Sequence, residues 1–261
     1  MSQPKIVFLM YHELELPGRS LVQSDPGYTR YVLPQSSFRA QMEWLAQNKW
    51  LGLCLSDALK FPSEPSVAIT FDDGCETDLI AAAPLLHEFG FSATFYVTSG
   101  FLDKNGYLSS SQLQKLSDAG FEIGCHSRTH AYLTDLSQQE LLNEIALPKR
   151  EVEQIIGKRV EHFSCPGGRY DARIARIARE SGYLTVATSR FQSNSAGTDK
   201  FALGRVAVLR NTSIKNFENM CRAQGFSLTK AADKVRSAAQ HVLGNTLYDQ
   251  LRGKLLQRRP E

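Results

Sequence analysis

Ser66-Val67-Ala68-Ile69-Thr70-Phe71-Asp72-Asp73-Gly74 is the stretch on which the reading of this chain turns. A run of strand-forming residues ends in two adjacent carboxylates and a glycine. Successive strand side chains point to opposite faces, so twin acids inside a strand would send one charge into the core. At a strand's C-terminal end both can instead look into a cleft. Two neighbouring carboxylates there suit a divided task, one holding a metal and the other taking a proton. Asp-Asp-Gly alone is also an ordinary turn opening, so the weight rests on what else the chain brings to that place.

Working outward, residues 5–10 read as a buried strand that delivers Tyr11-His12-Glu13 at its end. Residues 14–34 form a polar loop with Gly and Pro, long enough to shape a cleft or lid. Ser36 or Ser37 is expected to cap a helix from near Phe38, and residues 55–59 a short helical piece. After the Asp pair, residues 77–89 read as a helix despite Pro84, with Gly90 as its stop. Strands follow at 93–97, 121–125, 160–164 and 183–187, with a last one at 201–208. Helices are expected at 109–119, from Ser137 with its Glu140 capping box to Ile156 with an interruption at Pro148, from Asp171 to Ser181, and over 213–222. Strand and helix alternate six or seven times. The pattern predicts a parallel α/β sheet or barrel with helices outside. Its polar, Gly-rich punctuation falls at strand C-termini, where active sites of such folds lie.

A chain of 261 residues with 42% hydrophobic and 22% charged residues suits one large soluble domain. The net charge of +3 is too small to argue for nucleic acid, and it is uneven. Residues 227–261 hold seven Lys/Arg against three Asp/Glu, which is +4 and leaves about −1 for the rest. The expected division is a catalytic domain over 1–226 and a basic amphipathic helical tail over 227–261. Such a tail packs on its own domain or lies on an anionic membrane surface. The N-terminal apolar run is too short for a signal core. The five cysteines, Cys54, Cys75, Cys125, Cys165 and Cys221, are scattered without a Cys-x-x-Cys pair. Cytoplasm is therefore the expected compartment, at most with peripheral contact at the inner membrane face.

His126 and His130 are spaced i, i+4 directly after a predicted strand. On a helical turn both imidazoles would face one metal, and one carboxylate would complete a two-His, one-carboxylate set with positions open for water and substrate. Thr70-Phe71-Asp72-Asp73-Gly74 with His126-Ser127-Arg128-Thr129-His130 resembles the first two motifs of the NodB-homology polysaccharide deacetylases, carbohydrate esterase family 4. The resemblance covers roughly residues 5–208. It implies an irregular (β/α) barrel of about seven parallel strands and metal-dependent removal of N-acetyl groups from amino sugars. It further implies that Asp73, His126 and His130 hold the metal and that Asp72 is the base. Zn²⁺ suits a His₂Asp set best, and Co²⁺ and Ni²⁺ fit the same ligands. The chemistry agrees, because an amide is a poor electrophile and a bound divalent ion lowers the pKa of water from about 16 to about 7.

The departing amine needs a proton, and histidine is the suitable donor type. The family's usual C-terminal Leu-x-His is not found here, and His241 falls in the tail. Leu9-Met10-Tyr11-His12 resembles instead the N-terminal motif of the family's circularly permuted branch, which implies His12 as general acid. Phe163-Ser164-Cys165-Pro166-Gly167-Gly168 is similar to the third motif, so Pro166, Gly167, Gly168 and Tyr170 are expected to line the groove and serve the oxyanion. Cys165 stands where many relatives have an aromatic residue. Arg169 or Arg205 could pair with Asp72, though neither stands at the family's usual arginine position. The Asp-x-x-Asp-Trp motif is not recognisable near residues 185–194. His87 and His162 read as helix and strand positions with satisfied partners. The expected substrate is a GlcNAc-type glycan or glycolipid intermediate. The alternatives are another non-peptide C–N hydrolysis, such as formamide or ureide cleavage, and a non-catalytic sugar-binding protein.

Overall fold

Every residue of β1 (Val7–Tyr11) is buried, the mark of a parallel strand covered on both faces. The computed structural model describes residues 5–226. After β1 come β2 (Leu14–Glu15), α1 (Pro26–Thr29), β3 (Leu33–Pro34), α2 (Gln35–Gln47), β4 (Leu51–Leu53), α3 (Leu55–Ala58) and β5 (Ser66–Phe71). Then follow α4 (Ala83–Glu88), β6 (Thr94–Val97), α5 (Ser110–Asp118), β7 (Glu122–Cys125), α6 (Gln138–Ile156), β8 (His162–Ser164), α7 (Ala172–Glu180), β9 (Thr185–Ala187), β10 (Val206–Ala207) and α8 (Ile214–Cys221).

Seven strands lie side by side in the order β10-β1-β5-β6-β7-β8-β9, and all are parallel. The sheet curls into the expected half-barrel. An eighth strand, β4, pairs with the first half of β5 and leaves the second half to β6. A parallel bridge from Ala187 to Leu203 sets the chain ahead of β10 beside β9, so this segment spans from one sheet edge to the other. The register of β1 on β5 pairs Tyr11 with Phe71, which brings His12 alongside Asp72. Tyr11, Phe71 and Phe95 stack at about 5 Å spacing beneath these residues, with Phe38 edge-on. Such aromatic contacts add to the burial that holds the strand ends in register.

Several local expectations are corrected. The 14–34 loop contains the short β2–β3 pair and the single turn α1. α2 begins at Gln35, so Ser36 and Ser37 lie in its first turn and cap nothing. β4 was not expected, because Leu51-Gly52-Leu53 is only three residues long. Before α4 the chain makes a π-helical turn, Asp78–Ala82. That wider turn lets Pro84 sit in the first turn of α4, where its missing N–H costs nothing. α6 runs unbroken through Pro148. It is anchored by the predicted Ser137–Glu140 capping box and ends at Gly157 with φ 65°. The tail over 227–261 and His241 lie outside the described residues. Among those described, no helix is long and apolar enough to cross a membrane.

Candidate active site

Asp72 and Asp73 follow the end of β5, where Asp73 takes a positive φ of 82°. That conformation is rare for a residue with a side chain and is found where the surroundings over-determine it. Gly74 follows at φ 79°. The turn lets both carboxylates face the open end of the sheet, as the sequence required.

The two histidines arrive differently from expectation. Residues 126–130 do not form a helical turn: Ser127 and His130 have φ of 63° and 64°. The i, i+4 spacing nonetheless converges, because the chain loops rather than winds. The rings lie 5.1 Å apart, T-shaped. Glu144 of α6, buried, shapes this loop. Its carboxylate accepts from the amides of Arg128 at 3.0 Å and Thr129 at 2.8 Å, and from the Thr129 hydroxyl at 2.8 Å. The Ser127 hydroxyl accepts from the His130 amide at 3.0 Å.

One ligand atom each of Asp73, His126 and His130 lie within 4.8 Å of one another. Asp73 Oδ1 is 3.3 Å from His130 Nε2 and 3.6 Å from His126 Nε2. That oxygen is buried without a hydrogen-bond partner among the described residues, which is costly unless a further group completes it. His126 Nδ1 lies 3.0 Å from the Ser164 carbonyl, which can only accept, so Nδ1 carries the proton and the Nε2 lone pair is free. Burial pushes the His126 pKa down to about 4, against the pull of Asp72, so the ring is neutral and ready to ligate. For His130 burial acts downward too, but the Asp73 carboxylate outweighs it and raises the pKa. The donor set, its neutral histidine and its orphaned carboxylate oxygen fit a divalent cation.

Asp72 is buried on the other side of this set, its Oδ2 3.7 Å from His126 Nε2. Burial would raise its pKa, but Arg205 more than cancels that and holds it below the ordinary carboxylate value. The contact is bidentate, with both guanidinium donors 2.7 Å from the two carboxylate oxygens. Arg205 also donates to Ser164 Oγ at 2.6 Å and to the Thr188 carbonyl at 3.2 Å. Of the two arginines considered, Arg205 from the segment before β10 makes the pair, whereas Arg169 lies over the Tyr132 ring at 4.8 Å.

His12 stands at the same end of the sheet, its ring 4.9 Å from that of Tyr31. Its Nδ1 is buried without a hydrogen-bond partner among the described residues. Burial lowers its pKa, while Asp73 and Asp72 act to raise it. Glu13, buried next to it, accepts from the Val22 amide at 3.1 Å and the Tyr28 hydroxyl at 2.8 Å and so fastens the 14–34 loop over this side. Pro166, Gly167 and Gly168 form a tight 3-10 turn after β8, with Gly167 at φ 57°. A side chain at Gly167 would meet the Tyr132 ring, and one at Gly168 would meet Ser189. The amides of Gly168 and Arg169 close the turn by bonding back to Cys165 and Pro166. Tyr170, partly buried, follows it. Glu13, Glu144 and Tyr31 were not singled out in the sequence. Glu144 carried a signal in retrospect: an acid on the buried stripe of a helix needs a partner.

The sequence profile of the family described as polysaccharide deacetylase matches residues 60–186. Over those residues the chain is similar to this family. A peptidoglycan-N-acetylglucosamine deacetylase of Bacillus cereus is 34% identical to this chain over 131 residues, 50% of this chain and 59% of that one. YxkH of Bacillus subtilis, which carries a polysaccharide deacetylase name, is 29% identical over 210 residues, 78% of this chain and 71% of its own length. In fold, the chain is similar to the Streptococcus pyogenes deacetylase PplD (TM-score 0.75, 21% identity, 84% of this chain and 99% of that one). It is also similar to IcaB of Ammonifex degensii (TM-score 0.71, 21% identity, 84% and 97%). Relatives named as deacetylases are hydrolases of C–N bonds other than peptide bonds.

Proposed function

We propose that this protein is a polysaccharide deacetylase that removes N-acetyl groups from amino sugars of a glycan or glycolipid, with one divalent cation held by Asp73, His126 and His130. The observation that carries this reading is the juxtaposition of that orphaned donor set with an ionised, arginine-clamped Asp72 and with His12. When bound, the ion polarises the amide carbonyl and acidifies water, and Zn²⁺ is the best match to the ligands. Asp72, kept ionised by Arg205, takes the proton of the attacking water. His12, from the N-terminal motif of the permuted branch, hands a proton to the departing nitrogen. The Pro166–Gly168 turn and Tyr170 line the groove, and the Gly167 amide serves the carbonyl oxygen. Five free cysteines agree with a reducing compartment.

A ureide or formamide hydrolase on this fold has no evident need for the two histidines. A sugar-binding protein has no need for a clamped base. Metal content and acetate release from N-acetylglucosamine oligomers, compared between wild type and His126→Ala, test the reading. One metal per chain with acetate release abolished in the variant is expected. Acetate release unaffected by His126→Ala would refute it.

A further inference from the structure

Two guanidinium–aromatic pairs flank the Pro166–Gly168 turn. Arg169 lies 4.8 Å over Tyr132, whose ring abuts Gly167. On the other side Arg190 lies 4.9 Å over Tyr170. Arg190 is placed by the site itself. Its carbonyl accepts from the Arg205 amide at 3.0 Å, its neighbour Ser189 abuts Gly168, and Thr188 accepts from the Arg205 side chain. Ser189 Oγ is also 3.6 Å from Met10 Sδ, two residues before His12. The 188–190 segment is thus wedged between the oxyanion turn, the clamp on Asp72 and the strand that carries His12.

Most arginines near this rim have an acid: Arg128 pairs with Glu151, Arg173 with Asp171 and Arg210 with Glu15. Arg190 is exposed and pairs with no carboxylate among the described residues. Asp199, Arg190, Arg179 and the Cys165 thiol all lie close enough to bear on the Tyr170 hydroxyl. The Asp199 carboxylate is partly engaged, accepting from the Phe201 amide at 2.9 Å. A planar cation stacked on a ring is pre-ordered, because the stack fixes a side chain that would otherwise sample many rotamers. It presents its edge donors to a planar or tetrahedral anion at little further entropic cost.

Resting on the reading above, we propose that Arg190 on Tyr170 is a specificity element that takes an anionic substituent, a carboxylate or a phosphate, on the sugar next to the one deacetylated. The substrate is then an acidic N-acetylated glycan rather than a neutral one. The experiment compares three tetramers on the metal-loaded enzyme: neutral chitotetraose, a tetramer bearing lactyl carboxylates and chitotetraose phosphorylated at O6. Affinity is read as KM where acetate is released and as Kd by calorimetry where it is not. At least one acidic tetramer is expected to bind about tenfold more tightly than the neutral one, and whichever does identifies the source of the charge. The preference should shrink at high salt, because an exposed cation is screened. Arg190→Gln should bring the ratio to near one, and Arg190→Lys should keep part of it. Equal affinities in the wild type, or a ratio that Arg190→Gln leaves unchanged, would overturn the proposal. Absence of acetate from all three tetramers would count against the deacetylase reading alone, since the binding ratio is read independently.

Discussion

At the N-terminal ends of β7 and β8, Glu122, mostly buried, and His162, buried, form a histidine–carboxylate cluster; at the C-terminal ends, His126 just beyond β7 lies beside Ser164, the last residue of β8. The lower cluster is closed. His162 Nε2 is 2.9 Å from Glu122 Oε2 and from Ser56 Oγ, and Nδ1 is 2.9 Å from Thr185 Oγ1. Glu122 further accepts from the Ser56 amide and the Thr94 hydroxyl. The upper cluster is left open, with Asp73 Oδ1 and His12 Nδ1 buried and unbonded. Composition and burial do not separate the two; satisfaction of the polar atoms does. A cluster whose members complete one another is scaffold, and one with orphaned atoms aimed at a common point is built around something it must still bind.

The sharpest way to break this comparison is at the base. Asp72→Asn should lower kcat for acetate release by about 10²–10⁴-fold, the usual worth of a positioned proton acceptor. Metal binding, followed by calorimetry, should persist. His162→Ala should instead cost about 3 kcal/mol of stability in denaturant unfolding, because it strands the Glu122 charge in the interior. Its metal affinity should stay near wild type. His126→Ala is expected to do the reverse, losing the metal with little effect on the unfolding of the metal-free chain. Glu144→Gln sits between them, since the loop keeps part of its bonding. A 10–100-fold weaker metal Kd is expected, in the range found for residues that orient ligands.

Acid should separate the clusters by pH. The raised pKa of His130 means that its protonated form stabilises the metal-free protein fully below about 6.5, and that this contribution fades as pH rises through the folded value. The metal needs the deprotonated ring. Its affinity should therefore fall by up to tenfold per unit as pH drops below the raised value. Glu122 lies the other way: burial acts to raise its pKa, but His162 and Ser56 hold it lowered. Its contribution is full above about 4.5 and is lost only as pH falls through the depressed value. Between these limits the chain should stay folded while metal binding weakens, which circular dichroism and metal titration at matched pH would show. The smallest effect is expected from Ser137→Ala, which removes a cap whose side-chain contacts are with Glu140 and with neither cluster. A loss of about 1 kcal/mol with unchanged kinetics would mark it as scaffold.

The elements that the sequence made legible are those with a local cause. The strands were visible as apolar runs, α6 by its capping box, and α7 by Asp171, which accepts from the Arg173 and Ile174 amides. The candidate metal set of Asp73, His126 and His130 was legible because its members fall in two short motifs that each directly follow a strand. What escaped notice depends on contacts across the fold. The choice of Arg205 over Arg169 as the partner of Asp72 was left open for this reason, since Arg205 reaches Asp72 over a separation of 133 positions. Glu144 acts on residues 15 and 16 positions away, yet only through the way α6 packs beside β7. The π-helical turn before Pro84 was unreadable for a different reason: a proline signals that a regular helix must yield without saying how.

Ser164 joins the two halves of the site through different atoms. Its hydroxyl meets Arg205, the partner of Asp72, while its carbonyl sets which nitrogen of His126 is free. The first can be erased by exchanging one side chain. The second is written in the main chain, so any residue that keeps β8 in place will repeat it. The electrostatics of Asp72 are thus open to evolutionary tuning, whereas the tautomer of His126 is inherited with the strand itself.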